Sequence, residues 1–174
     1  MTDILIAPKL PVICKDRTTR HSALSAMAEE YRVVCACKAV SITATGPAVS
    51  QCLCHCTDCA EVYQMTPAGF VLFPADQLCI NTGKEKLKAF SQKTPSLKRY
   101  FCEDCGFKTH HTRDGIPLVG TLSNNLPGFD FQPQVHLYCK SAPADRLQAY
   151  AGDGSTKFVD MPKEFGGSGE QMTC

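Results

Sequence analysis

The stretch Cys52-Leu-Cys54-His55-Cys56-Thr-Asp-Cys59 packs four thiols and a histidine into a few residues, and no other segment restricts the fold so tightly. Sulfur at that density holds a metal, forms disulfides or performs thiol chemistry. Two further pairs, Cys35 with Cys37 and Cys102 with Cys105, repeat the theme. Cys14, Cys52, Cys79, Cys139 and Cys174 lie outside these groups, and the twelve cysteines are then accounted for.

Compartment decides between the options. The first apolar run, Ile4 to Ile13, is broken by Pro8, Lys9 and Pro11, too short for a secretory leader or a membrane span. The chain therefore reads as soluble and cytoplasmic, where thiols stay reduced and clustered cysteines serve as metal ligands. Lys plus Arg number 18 against 17 for Asp plus Glu, a net charge of +1, with no basic stripe, which argues against nucleic acid as a partner.

Residues 1–28 lack a sustained period and read as an N-terminal extension, with one short helical turn expected around Ser22 to Glu29. From there on, short β-branched and aromatic runs are cut by turn signals such as Gly46-Pro47, Asn81-Thr82-Gly83 and Asp114-Gly115. This texture predicts strands at 32–35, 39–45, 49–54, 69–73, 78–81, 87–92, 97–101, 107–112, 116–122 and 134–139. The one helix expected is Asp58 to Met65, with Asp58 as its cap.

Zinc takes four soft donors at about 2.3 Å, so ligand sulfurs sit roughly 4 Å apart. Cysteines at i and i+2 share a face of an extended segment, as Cys35 and Cys37 do. Cysteines at i and i+3 converge across a tight turn, and a following glycine lets the chain bend through a left-handed conformation, as in Cys102-Glu-Asp-Cys105-Gly106. Two plus two closes a tetrahedron. Cys54, Cys56 and Cys59 combine both spacings but supply only three donors, which leaves a fourth position for water or substrate, as in catalytic zinc sites. Positions 52, 54 and 56 of a straight strand span about 13 Å, so Cys52 is left out. Cys52, Cys79 and Cys139 read instead as small buried side chains. A thioredoxin-type dithiol would require a βαβ setting that this pattern lacks.

Together, Cys35-Ala-Cys37, Cys54-His-Cys56-Thr-Asp-Cys59 and Phe101-Cys102-Glu-Asp-Cys105-Gly106 resemble the glutathione-dependent formaldehyde-activating enzyme family, which includes the centromere protein V branch. Gly120-Thr-Leu, Pro133-Gln-Val-His136 and Met161-Pro-Lys-Glu-Phe-Gly-Gly-Ser-Gly-Glu170 extend the resemblance over about residues 29 to 170. It implies a mainly β, β-tent fold of stacked antiparallel sheets, with zinc knuckles and a short helix after the triplet, spanning a zinc domain of residues 29–174. It also implies two Zn2+ ions: a structural one on Cys35, Cys37, Cys102 and Cys105, and a catalytic one on Cys54, Cys56 and Cys59. After the triplet the family often has a basic residue and a Gly-containing turn. Here the segment is Ala60-Glu-Val-Tyr63-Gln-Met65-Thr-Pro67, a different lining for the open position.

Three thiolates leave zinc at a net charge of about −1, suited to holding a substrate sulfur rather than to making hydroxide. The expected function is a zinc-dependent carbon–sulfur lyase or thiol-adduct enzyme acting on a small, thiol-containing molecule. The alternative is a non-catalytic zinc scaffold that binds a protein partner. Glu61, Tyr63 and His136 are the candidate acid–base groups. His55 is expected to point away from Cys54 and Cys56, and His110 and His111, being adjacent in a strand, face opposite ways.

Overall fold

The structure, a computed structural model, describes residues 29–173. The N-terminal extension, the helical turn expected within it, Cys14 and Cys174 lie outside the described residues. Among those described, eleven strands and two α-helices form, so the chain is mainly β. It divides into two compact units, one comprising residues up to Pro47 together with Pro74–Val119, the other Ala48–Phe73 with Gly120 onward.

In the first unit, β1 (Glu30–Val34), β2 (Ser41–Thr45) and β5 (Leu78–Thr82) form an antiparallel sheet in the order β1-β2-β5. Val33, Ile42, Ala44, Leu78 and Ile80 turn inward and are buried, the alternation a half-buried sheet requires. β6 (Leu87–Phe90), β7 (Leu97–Cys102) and β8 (Lys108–Arg113) pair antiparallel, and β8 is followed in the strand order by β9 (Ile116–Leu122), which runs on into the second unit. The loop of the β1–β2 hairpin carries Cys35 and Cys37. The loop of the β7–β8 hairpin carries Cys105, with Cys102 at the strand end.

In the second unit, β3 (Ser50–Cys54) and β4 (Ala68–Pro74) pair antiparallel around α1 (Thr57–Tyr63). β10 (Val135–Leu137) lies parallel to β3 on one side and to β11 (Thr156–Lys157) on the other. α2 spans Ala144–Gln148. Gly69 in β4 is where the loop after β9 comes down: a Cβ there would lie 2.8 Å from Ser123 Oγ and 3.1 Å from the Phe131 ring. Toward the C-terminus, Asp160 Oδ1 accepts hydrogen bonds from the Ser168 amide and hydroxyl, both at 2.8 Å, which ties down the Met161-to-Glu170 segment.

All ten expected strands form, most within one or two residues of their expected limits; 87–92 ends two residues early, at Phe90, and 134–139 shrinks to Val135–Leu137. β11 and α2 were not expected. A two-residue strand and a one-turn helix leave no period to read. The helix cap is Cys56 rather than Asp58: the Cys56 sulfur accepts the Cys59 N–H at 3.2 Å, and Asp58 lies inside α1, buried. Cys52 and Cys139 are buried free thiols as expected, whereas Cys79, also buried, is disulfide-bonded.

Candidate metal centres

The first centre is built at two hairpin tips. Cys35 accepts the Val40 N–H on its sulfur at 3.2 Å, while Lys38 takes a left-handed conformation (φ 65°) that lets the loop close in so few residues. At the second tip the Gly106 N–H reaches the Cys102 carbonyl at 2.8 Å, with φ 71° at Gly106. The turns aim four sulfurs at one point: Cys35 and Cys37 are 3.4 Å apart, Cys37 and Cys102 3.7 Å, and all four ligand atoms with Cys105 fall within 4.8 Å. A tetrahedral zinc–thiolate site has edges of roughly 3.8 Å, so the donor set and its spacing fit zinc.

As bare thiols these groups conflict. The backbone N–H of Ala39 favours the Cys37 thiolate, yet hydrogen bonds with the Cys35, Cys105 and Cys102 sulfurs push Cys37 up to about 12. Cys105 falls to about 6, lowered by the backbone N–H groups of Cys37 and Phe107. A divalent cation at the centre removes that conflict by favouring thiolate at every position.

The second centre sits where β3 runs into α1. Cys54 and Cys56 sulfurs are 3.4 Å apart, and those of Cys54, Cys56 and Cys59 all lie within 4.8 Å of one another. Cys54 and Cys59 are buried and Cys56 is half-buried, so the group is reached from the Cys56 side. It rests in an apolar cluster with Ala68, Phe70 and Leu122, against which Tyr63, Met65 and Tyr138 pack. Hydrogen bonds with Cys56 and Cys59, then burial, raise the Cys54 thiol well above its usual value, and burial pushes Cys52 up to about 12.

The candidate acid–base groups fall in three different settings. Tyr63 stands one helical turn beyond Cys59, on the same face of α1, with its ring edge-on to Phe70 at 5.3 Å between centroids. Glu61 is exposed, two residues from Cys59 and so on the outer side of the helix. His136 is 0% exposed and has both ring nitrogens engaged: Nδ1 faces His55 Nε2 at 3.0 Å, and Nε2 faces Asp153 Oδ2 at 3.1 Å.

His55 does turn away from Cys54 and Cys56, but inward, to the β10 side, where it is 2% exposed. Burial, then the His136 ring, lower its pKa to about 4. His136 is also lowered, by burial, against the raising effect of Asp153. Burial alone would raise Asp153, but hydrogen bonds from Lys157 and Ser155 outweigh it and hold the carboxylate well below its usual range. No motif or spacing points to Asp153 or Lys157. Only the parallel pairing of β10 with both β3 and β11 brings them to His136, which in turn faces His55. His110 is buried in the first unit, stacked on Tyr100 at 4.3 Å, and His111 is the less buried of the two.

The family model of the glutathione-dependent formaldehyde-activating enzymes matches residues 30–141, well over half the chain and all seven clustered cysteines. A crystal structure of a Rhodobacter sphaeroides protein is 26% identical, over 57% of this chain and 90% of that one, with a TM-score of 0.47. No curated protein matches. A mainly β chain with one four-thiol and one three-thiol group, each able to hold a metal ion, is thus defined. It belongs to the glutathione-dependent formaldehyde-activating enzyme family. Among the described residues no helix is long and apolar enough to cross a membrane.

Proposed function

We propose that this chain is a zinc-dependent enzyme that makes or breaks a carbon–sulfur bond in a small thiol adduct. The observation that carries the reading is the contrast between the two centres: four converging sulfurs in one, three in the other, with Cys56 reachable at the second. Cys35, Cys37, Cys102 and Cys105 would hold a structural ion, and Cys54, Cys56 and Cys59 a catalytic one.

When bound to three thiolates, zinc supplies a soft Lewis acid that favours a fourth sulfur as thiolate at neutral pH. The protein does the rest. The Cys59 amide donates to the Cys56 sulfur, so part of the accumulated negative charge is carried by backbone. Tyr63, Met65, Phe70 and Tyr138 keep water from the cluster and favour a small, apolar thiol over a highly charged one.

In the breaking direction the hydroxyl of an S-hydroxymethyl group loses its proton. Its O–H electron pair forms the carbonyl, and the C–S pair leaves with sulfur as thiolate. The making direction is the reverse. Tyr63, on the same face of α1 as Cys59, would pass that proton, and exposed Glu61 would exchange it with solvent. His136, sealed and engaged on both nitrogens, acts from behind the ligands rather than on substrate.

The test is exchange NMR on formaldehyde and a panel of small thiols with reduced, zinc-loaded protein. Faster adduct interconversion, lost in Cys56→Ser and slowed in Tyr63→Phe, is the expected result. Unaltered exchange for every thiol, with both metals inert to added thiol, overturns the enzymatic reading in favour of a scaffold.

A further inference from the structure

Alternate residues on a straight strand lie about 7 Å apart. The Cys54 and Cys56 sulfurs are 3.4 Å apart, so the chain has to bend at His55. Something must hold that bend. The His55 N–H donates to the Leu137 carbonyl at 2.9 Å, and the side chain enters a chain of contacts on the other face: His55 Nε2 to His136 Nδ1, His136 Nε2 to Asp153 Oδ2. Asp153 Oδ1 is itself held by the Lys157 ammonium at 2.8 Å, the Ser155 amide at 2.9 Å and the Ser155 hydroxyl at 2.6 Å. Tyr150 packs edge-on against both imidazoles, with centroids 4.7 Å from His136 and 6.0 Å from His55.

These contacts have a direction. An anchored, ionised carboxylate only accepts, so His136 Nε2 carries a proton. Between the facing nitrogens of the two rings only one proton fits. Were it on His136, that ring would be a cation at 0% exposure, and His55 would present a buried Nδ1–H that has no acceptor. With the proton on His55 Nε2 both rings are neutral, and the only unfilled position is a bare Nδ1. Burying an unfilled acceptor costs less than burying an unpaired N–H and an extra charge.

We infer that His136 and Asp153 are positioning residues for the three-thiol group: through His55 they hold the bend between Cys54 and Cys56 and fix His55 as the Nε2–H tautomer. Asp153, Ser155 and Lys157 lie beyond the segment that the family model matches, so the anchor is supplied by this chain's own C-terminal part. The inference rests on Cys54, Cys56 and Cys59 holding a metal and not on carbon–sulfur chemistry. A protein that binds zinc there but turns over no thiol adduct would contradict the proposed reaction alone.

The experiment combines 15N NMR of the imidazoles with zinc competition titrations on the reduced full chain. Wild type is expected to show His55 protonated at Nε2 and bare at Nδ1. In Asp153→Asn, Lys157 and Ser155 keep the amide oxygen on their side and turn the NH2 toward His136. That reverses the chain and moves the His55 proton to Nδ1. Affinity at the three-thiol group should fall roughly tenfold, with the four-thiol group unchanged. A wild-type His55 protonated at Nδ1 overturns the inference without any variant. So does an Asp153→Asn protein whose tautomers or zinc affinity do not change.

Discussion

Cys37 and Cys102 come from two hairpins far apart in the chain, yet their sulfurs stand 3.7 Å apart. The first unit has its β1–β2 and β7–β8 hairpins clasped at that point. Cys105→Ala leaves three donors and opens the clasp, and the first unit is expected to lose its cooperative unfolding transition. Cys56→Ala removes one ligand of the other group and the cap of α1, worth about 1 kcal/mol. That variant should keep its fold and lose one bound metal. Circular dichroism melts with metal analysis check both; equal unfolding of the two would refute the division of labour.

Gly69→Ala places a methyl group against Ser123 Oγ and the Phe131 ring. Overpacking of this kind costs about 1–3 kcal/mol. Chemical denaturation should show a lower midpoint with an unchanged slope, since the loop is displaced rather than the unfolded chain altered.

Gly83 turns the chain between β5 and β6 with φ 73°, and a Cβ there would collide with the Ala39 carbonyl, which is backbone and has little room to move. Gly83→Ala therefore combines left-handed strain of about 1–2 kcal/mol with a steric conflict. Its melting temperature should fall further than that of Gly115→Ala, where a Cβ meets nothing within 4 Å.

His110 is held neutral, with its pKa lowered by burial to about 3 from 6.5. Below pH 6.5 the unfolded chain takes up a proton that the folded one does not, so folding is favoured above that pH and progressively less as pH falls toward 3. The slope is up to about 1.4 kcal/mol per pH unit for this one group. His110→Phe, which keeps a ring against Tyr100, should flatten the pH dependence of unfolding between pH 6 and 4 by up to one proton. An unchanged slope would mean that His110 is not the group responsible.

The strands and the two thiol groups were legible because each depends on short-range features: alternation, turn residues, and cysteine spacing with Gly106 behind the second knuckle. The histidine chain was not. His136 could be singled out, but its partner Asp153 lies between two left-handed glycines, Gly152 and Gly154, and looks like any loop acid. Only the placement of β10 beside both β3 and β11 gives it a role. The cap on α1 was misassigned for a related reason. Asp is the commoner cap, but the helix starts at Thr57, so the Cys56 sulfur accepts the Cys59 amide and Asp58 falls inside the first turn.

Anomalous diffraction at the zinc edge, from crystals of the reduced protein, tests the central claim most directly. The account requires two zinc peaks per chain: one enclosed by Cys35, Cys37, Cys102 and Cys105, and one bound by Cys54, Cys56 and Cys59 with a non-protein fourth ligand. A single peak, or a second one saturated by four protein side chains, would contradict it.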